Sequence, residues 1–110
     1  MTNHQTGHDA EKLAAEYLQE QGYKIIELNW KTRLCEIDIV AQKKTVVWFV
    51  EVKYRKNSRH GYGYEYVTPK KLDQMRFAAA MWVQSHKWSG DYRLGVISID
   101  GERLNFMDAS

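Results

Sequence analysis

Four charged side chains in two apolar segments carry the clearest chemical signal of the sequence. Glu36 and Asp38 lie in one segment, and Glu51 and Lys53 lie in the next. The residues around them are apolar and mostly β-branched, which is typical of strands inside a sheet. A charge in such a strand is costly unless it is paired or bound to a metal. The two segments therefore predict a cluster of carboxylates and a lysine on neighbouring strands.

The pairing of the two strands determines whether the carboxylates meet. Residues two apart in a strand share a face at about 6.6–6.8 Å, which groups Glu36 with Asp38 and Glu51 with Lys53. If the strands pair antiparallel through a two- or four-residue turn, Asp38 lies opposite Phe49 or Glu51, and the carboxylates project from one side. A three-residue turn would separate them. The sequence leaves the choice of turn open.

Carboxylates this close predict a bound cation. Like charges repel and raise each other's pKa unless a cation lies among them, and oxygen ligands favour Mg²⁺ or Mn²⁺. A further acid, Glu11, lies on the shoulder of the buried face of a predicted helix. The structural alternative is that Glu51 and Lys53 form a salt bridge, while Glu36 and Asp38 lie on a solvated edge.

The elements that must position these residues follow the order αβββαββ, which predicts an α/β fold with a mixed central sheet of about five strands flanked by helices. Thr68 and Pro69 form a helix start signal. The two helices have the apolar stripes Ala10, Leu13, Ala14, Tyr17, Leu18 and Leu72, Met75, Ala79, Trp82, Val83. The predicted boundaries are a helix ending at Gly22, strands at 23–30, 33–41 and 45–54 with a turn at 42–44, a helix from Thr68 to 85–86, and strands at 92–99 and 103–107.

Length and composition predict one folded domain over residues 1–110, with residues 1–6 frayed. The 110 residues are 44% apolar and include one proline. No apolar run approaches the roughly 20 residues that span a bilayer, and the N-terminus has no apolar signal segment. The single cysteine, Cys35, cannot form an internal disulfide, so a reducing cytoplasm is the expected location, with no membrane partner.

Basic residues are concentrated in one region. Residues 53–76 hold seven lysines and arginines against two acids, whereas the rest of the chain has nine against twelve. A basic region beside an acidic cluster suits a polyanion held close to a metal. Lysines in the first turn of the second helix would favour phosphate, and tyrosines of the preceding loop could stack on bases. The alternative is a solvated basic loop whose tyrosines pack on the sheet. The candidate nucleic-acid contacts are Arg55, Lys56, Arg59, Lys70, Lys71, Tyr62, Tyr64 and Tyr66.

A spaced set of residues extends well beyond the carboxylates. Its members are Gly7-x3-Glu11-x2-Ala14, Gly22-Tyr23, Asn29, Glu36-Ile37-Asp38-Ile39-Val40-Ala41, Phe49-Val50-Glu51-Val52-Lys53-x-Arg55 and Val67-x3-Lys71. Over about residues 7–99 this set resembles the YraN-like family of small bacterial proteins. That family has a restriction-endonuclease-like fold and is grouped with the PD-(D/E)xK nucleases, especially the archaeal Holliday junction resolvases.

The resemblance implies a role for each matching residue. Asp38 and Glu51 would be metal ligands together with the carbonyl of Val52, Lys53 would be the catalytic lysine, and Glu11 would be the helix acid. Such a metal polarises a phosphodiester and lowers the pKa of a bound water. Lys53 would orient that water and offset charge developing at phosphorus, and Glu11 could hold a second metal or a metal-bound water.

Three positions qualify this assignment. Cys35 replaces the glycine that is usual in the family, and Gly95 stands where an aspartate is expected in the fourth strand. If that aspartate is functional, catalysis is in question; if it only pairs with a neighbouring base, little changes. Glu36 is either a ligand or a structural partner of Arg33 or Arg55.

The function implied by the resemblance is a metal-dependent nuclease that binds DNA and hydrolyses phosphodiester bonds, with branched or flapped DNA as the expected substrate. One alternative is a nucleic-acid-binding module of the same fold with weak or lost catalysis. Another is a protein-interaction scaffold. Symmetric cleavage of two strands would need a homodimer, and the sequence contains no patch that specifies one.

Overall fold

The computed structural model describes residues 3–55 and 67–110, and for residues 3–8 it describes the backbone. The predicted order αβββαββ is confirmed. No helix in these two ranges is long and apolar enough to cross a membrane. The elements are α1 (Asn3–Glu20), β1 (Lys24–Lys31), β2 (Glu36–Lys43), β3 (Val46–Arg55), α2 (Pro69–His86), β4 (Asp91–Asp100) and β5 (Arg103–Asp108).

The five strands form one mixed sheet in the order β1-β2-β3-β4-β5. Neighbouring strands are antiparallel except β3 and β4, which are parallel. Parallel neighbours need a long crossover, and α2 belongs to that crossover. The strand that carries Glu51 is therefore the middle strand, as its apolar sequence predicts.

The sheet is covered by a separate hydrophobic core on each face. Helix α1 packs through small residues and Leu18 on one face, and α2 packs through Met75 and Trp82 on the other. The α1-side core consists of Ala10, Ala14, Ala15, Leu18, Ile39, Ala41, Val50, Ile97 and Ile99. The α2-side core consists of Ile37, Val40, Val47, Phe49, Met75, Ala78, Ala79, Trp82, Leu94 and Val96.

Helix α2 begins where the sequence predicts. The Thr68 hydroxyl accepts a 3.1 Å hydrogen bond from the N–H of Lys71, which satisfies one of the unpaired donors of the first turn. Lys87 ends the helix in a left-handed conformation. These local signals are sufficient because each acts within four residues.

Helix α1 begins at Asn3, before the apolar stripe starts. It differs from the prediction at Leu13, which is 50% exposed. The prediction that Leu13 is buried is wrong because Ala15, rather than Leu13, completes the face that meets the sheet. Gly22, with φ of 94°, follows the helix as expected. The fraying of residues 1–6 stays a prediction.

The predicted turn at 42–44 is wrong by one to two residues. Strand β2 continues to Lys43, which pairs with Val46, so Lys44 and Thr45 alone form the turn. Lys44 adopts φ of 55°, and its carbonyl accepts a 3.0 Å hydrogen bond from the side-chain amide of Gln42. The polar residues at the end of β2 belong to an exposed hairpin end, which has the composition of a turn. The resulting register is the one that brings the carboxylates together.

Strand β2 also begins later than predicted, at Glu36 rather than Arg33. The hydroxyl of Thr32 accepts hydrogen bonds of 3.1 Å from the N–H groups of both Leu34 and Cys35. A threonine that bonds its neighbours' backbone in this way competes with strand pairing. Residues 32–35 therefore form a turn at the open end of β2.

Candidate active site

Strand β2 changes its regular alternation at Asp38. Ile37 packs in the α2-side core, whereas Ile39 packs in the α1-side core. Residues two apart in an undistorted strand share a face, so simple alternation, which we predicted through this segment, does not hold here. The pairing of β2 with β3 runs from Lys43 as far as Ile39 opposite Val50.

The Asp38 carboxylate lies where the two strands part. The register set by the two-residue turn pairs Ile39 with Val50. Continued by one residue, it would place Asp38 opposite Glu51, which is one of the two alternatives that the sequence left open. Asp38 Oδ2 accepts a 2.8 Å hydrogen bond from the N–H of Val52. A side chain thus replaces the backbone partner that β2 would otherwise supply.

The environment of Asp38 disfavours its charge. Burial, followed by the nearby Glu51 carboxylate, raises the pKa of Asp38 to about 7, while the hydrogen bond from Val52 opposes the shift. Glu11 and Glu36 contribute further repulsion that raises the same pKa. Carboxylates of α1, β2 and β3 therefore all raise the pKa of Asp38, which is the repulsion that the metal-site hypothesis predicts.

Glu51 projects from the sheet toward α2, on the face opposite α1. Its Oε1 lies 2.9 Å from Lys71 Nζ and 3.6 Å from Lys53 Nζ, and its side chain is 14% exposed. Glu51 and Lys53 share a face as predicted, and they form the salt bridge that the structural alternative predicted. The closer contact with Lys71 was missed because it joins β3 to α2, although the Val67-x3-Lys71 spacing marked that lysine.

Glu11 brings a buried carboxylate from α1 toward Asp38. Its Oε2 is buried and has no hydrogen-bond partner among the described residues. A buried oxygen atom of a carboxylate normally has a donor or a cation beside it. Its negative charge is one of those that raise the pKa of Asp38.

The donor set has the chemistry that a hard cation requires. Asp38 and Glu51 offer carboxylate oxygens. The N–H and the carbonyl of one strand residue point toward the same neighbouring strand. The Val52 carbonyl therefore points to the side of β3 on which its N–H binds Asp38. In residues 3–55 and 67–110, no three His, Cys, Asp or Glu side chains are already assembled as a metal cluster. A backbone carbonyl or water would therefore complete the set.

The other predicted site residues lie in different surroundings. Glu36 is exposed, and its carboxylate lies 3.8 Å from Lys31 Nζ. Its salt-bridge partner among the described residues is therefore Lys31, and not Arg33 or Arg55 as predicted. Lys70 lies in the first turn of α2 beside Lys71. The remaining predicted contacts Lys56, Arg59, Tyr62, Tyr64 and Tyr66 lie outside the described residues.

A cleft of about 660 Å³ opens directly beside Glu51. The turn at 32–35 and α2 form its walls, and the half-buried Cys35 belongs to the first of these walls. Sequence reasoning assigned no site role to four of its lining residues, since they carry no motif. They are Leu34, Asp73, Gln74 and Phe77.

Gly95, the departure from the family pattern, belongs to an aromatic cluster. A Cβ atom at this position would lie 2.6 Å from Phe106 Cε1 and 3.4 Å from Trp48 Cε3. Tyr23, Trp48 and Phe106 contact one another edge to face. At position 95, aromatic rings on the α1 side of the sheet therefore occupy the space that an aspartate side chain would need. Glu51 projects from the other side, toward α2.

The mixed five-stranded sheet with its two helices has a restriction-endonuclease-like fold. The chain superposes on Hjc of Archaeoglobus fulgidus, a Holliday junction resolvase from an archaeal hyperthermophile, with a TM-score of 0.60. The superposition covers 92% of this chain and 75% of that chain at 17% sequence identity. It establishes the fold that the resemblance implied.

The chain belongs to the uncharacterised protein family UPF0102, the YraN family, whose family model matches residues 10–99. A UPF0102 protein of Cytophaga hutchinsonii is 40% identical over 104 residues, covering 94% of this chain and 92% of that protein. Another, from Fusobacterium nucleatum, is 37% identical over 109 residues, covering 97% and 91%.

Proposed function

We propose that this protein is a metal-dependent nuclease that binds DNA and hydrolyses phosphodiester bonds. One observation carries the proposal: the half-buried Asp38 carboxylate is hydrogen-bonded to the N–H of Val52, and its pKa is raised by burial and by the Glu51 and Glu11 carboxylates. The repulsion that Asp38 experiences from Glu51 and Glu11 is of the kind that a bound cation relieves. The restriction-endonuclease-like fold agrees with this reading.

Asp38, Glu51 and the Val52 carbonyl would hold Mg²⁺ or Mn²⁺, with Glu11 nearby. When bound, such an ion polarises a phosphodiester and lowers the pKa of a water. Lys53, 3.6 Å from Glu51, would orient the attacking water and balance charge developing on the phosphate.

The basic side of the site supports DNA as the polyanion. Lys70 and Lys71 lie in the first turn of α2, where backbone N–H groups and the helix dipole favour phosphate. The structural neighbour is described as a Holliday junction resolvase, which favours branched DNA among the substrates. Homodimer formation, a cytoplasmic location and the contacts from residues 56–66 stay predictions.

The test is cleavage of labelled plain, flapped and four-way DNA in Mg²⁺ and Mn²⁺. Wild type should cut the branched forms. Glu51→Gln and Asp38→Asn should lose activity at least about 100-fold, the upper end of the loss that follows mutation of residues that only support metal ligands. Asp108→Asn is the matched control, because Asp108 is an exposed carboxylate paired with Arg93 at 2.8 Å. Equal cutting by wild type and Glu51→Gln would reject the proposal.

One observation favours a second function, a DNA-binding module without catalysis. Glu51 is already neutralised by Lys71 and Lys53, so the site can be stable without a metal. DNA binding without cleavage in either metal would support this module. A protein-interaction scaffold would bind no DNA in a fluorescence-polarisation titration.

A further inference from the structure

The cleft beside Glu51 has an apolar wall that the proposed metal chemistry does not use. Leu34 is 72% exposed and Phe77 is 45% exposed, and both line this cleft from different elements, together with Cys35 and Met75. Single exposed apolar residues are ordinary, but several around one concavity indicate a ligand surface.

The turn that presents Leu34 is fixed by its own hydrogen bonds. Thr32 Oγ1 accepts 3.1 Å hydrogen bonds from the N–H groups of Leu34 and Cys35, and the N–H of Thr32 donates to the Cys35 carbonyl at 2.8 Å. This side of the cleft is therefore formed before any ligand binds, which lowers the entropy lost on binding.

The α2 side of the cleft combines three kinds of contact. Lys70, Gln74 and Phe77 are spaced at i, i+4 and i+7, so they follow one face of the helix over about 10 Å. They offer a cation, an amide that both donates and accepts hydrogen bonds, and an aromatic ring. Phosphate, base edge and base face are the matching features of one nucleotide.

Charge at the cleft also favours a nucleotide. Its three carboxylates have described cations: Glu51 with Lys71, Asp73 with Arg76 and Glu36 with Lys31. Lys70 has no carboxylate partner among the described residues. Lys70 is therefore a cation of this cleft that no described carboxylate neutralises, and it lies beside the apolar wall.

We propose that this cleft receives one unpaired nucleobase, stacked on Phe77 and hydrogen-bonded by Gln74, while Lys70 binds its phosphate. The proposal rests on the proposed function and names its substrate class: DNA with an unpaired nucleotide next to the phosphate at the carboxylates. A base inside a continuous duplex is stacked on both faces, so it cannot enter without being extruded.

The experiment compares two DNA probes with the same sequence, a continuous duplex and a duplex with a single-stranded arm that carries 2-aminopurine at its first unpaired position. Binding is followed by fluorescence polarisation and by 2-aminopurine emission, with Ca²⁺ replacing Mg²⁺ to prevent cleavage. Wild type should bind the armed probe about tenfold more tightly, as expected for one stacked base, and quench its emission.

The variants separate stacking from general packing. Phe77→Leu should remove the preference and the quenching while leaving duplex affinity unchanged, and Phe77→Tyr should retain both. Tyr92→Leu is the matched control, since Tyr92 is an aromatic residue of the same 45% exposure outside the cleft, and it should behave as wild type. Thermal melts confirm that each variant folds.

The outcomes distinguish this inference from the proposed function. Equal wild-type affinity for the two probes, or equal losses in Phe77→Leu and Phe77→Tyr, would overturn the base site while DNA cleavage stands. If the protein binds neither the continuous duplex nor the armed probe, both proposals are overturned.

Discussion

The Asp38 carboxylate accepts a 2.8 Å hydrogen bond from the backbone N–H of Val52, at the point where β2 and β3 cease to pair. This contact ties the acid of one strand to the main chain of the next. It holds Asp38 beside Glu51 at the cost of burying a charge that has repulsive neighbours. The following predictions test the consequences.

The first prediction concerns the pH dependence of the metal-free protein. The pKa of Asp38 is raised to about 7 from about 3.9 in an unfolded chain. The folded state therefore binds the proton more tightly, so the stability that Asp38 contributes is present below about pH 4 and is lost as the pH rises through 7. Relative to Asp38→Asn, wild type in EDTA should lose about 4 kcal/mol of unfolding free energy between pH 4 and 8, at about 1.36 kcal/mol for each unit of the pKa difference.

Urea denaturation of both proteins across this pH range provides the measurement. Other acidic residues contribute equally to the pH dependence of unfolding in wild type and in Asp38→Asn. The difference between the two proteins therefore reports Asp38 alone. A difference that does not change with pH would mean that Asp38 is ionised as an ordinary surface carboxylate.

The second prediction is that a divalent cation stabilises the fold. At ten times Kd, a ligand specific to the folded state adds about 1.4 kcal/mol, which raises Tm by about 5–10 °C for a domain of this size. Asp38→Asn removes a repelling charge and a ligand, so it should melt no lower than wild type in EDTA and show little metal shift. Lys53→Ala should melt lower in EDTA but keep the shift. Melts in EDTA, Mg²⁺ and Mn²⁺ decide this, and an equal shift in Asp38→Asn would exclude the site.

The third prediction separates two adjacent lysines. Lys70 and Lys71 should both contact phosphate, so each alanine variant should lower the log–log salt slope of DNA binding by about 1. Lys71→Ala should also lower Tm in EDTA, because it removes the 2.9 Å partner of Glu51, whereas Lys70→Ala should not. Unchanged slopes in both variants would place DNA on another surface.

The fourth prediction concerns Gly95. Gly95→Ala should cost about 1–3 kcal/mol, as overpacking does in other cores, because its Cβ would lie 2.6 Å from the Phe106 ring. Combining it with Phe106→Leu should recover part of the loss, and the coupling is measured by a double-mutant cycle in urea. Full additivity of the two changes would show that the ring does not restrict this position.

Local signals were sufficient for much of the fold, and tertiary contacts account for the rest. Thr68 and Pro69 start α2 because capping involves residues within one turn. The register of β2 and β3 near Asp38 and Glu51 depends on the length of the turn between them, which the polar residues at 42–45 do not specify. The change of side-chain alternation at Asp38 occurs where these two strands diverge, and no local pattern marks that point. Glu51 and Lys71 are 20 residues apart in the sequence and lie in different elements, so no local pattern could predict their contact.

The measurement that tests the central claim most directly is an anomalous difference map from a crystal grown in Mn²⁺. The account predicts a peak within coordination distance, about 2.0–2.6 Å for hard cations on oxygen, of the Asp38 and Glu51 carboxylates and the Val52 carbonyl. A fully occupied Mn²⁺ bound only elsewhere, with Lys71 still paired to Glu51, would contradict it.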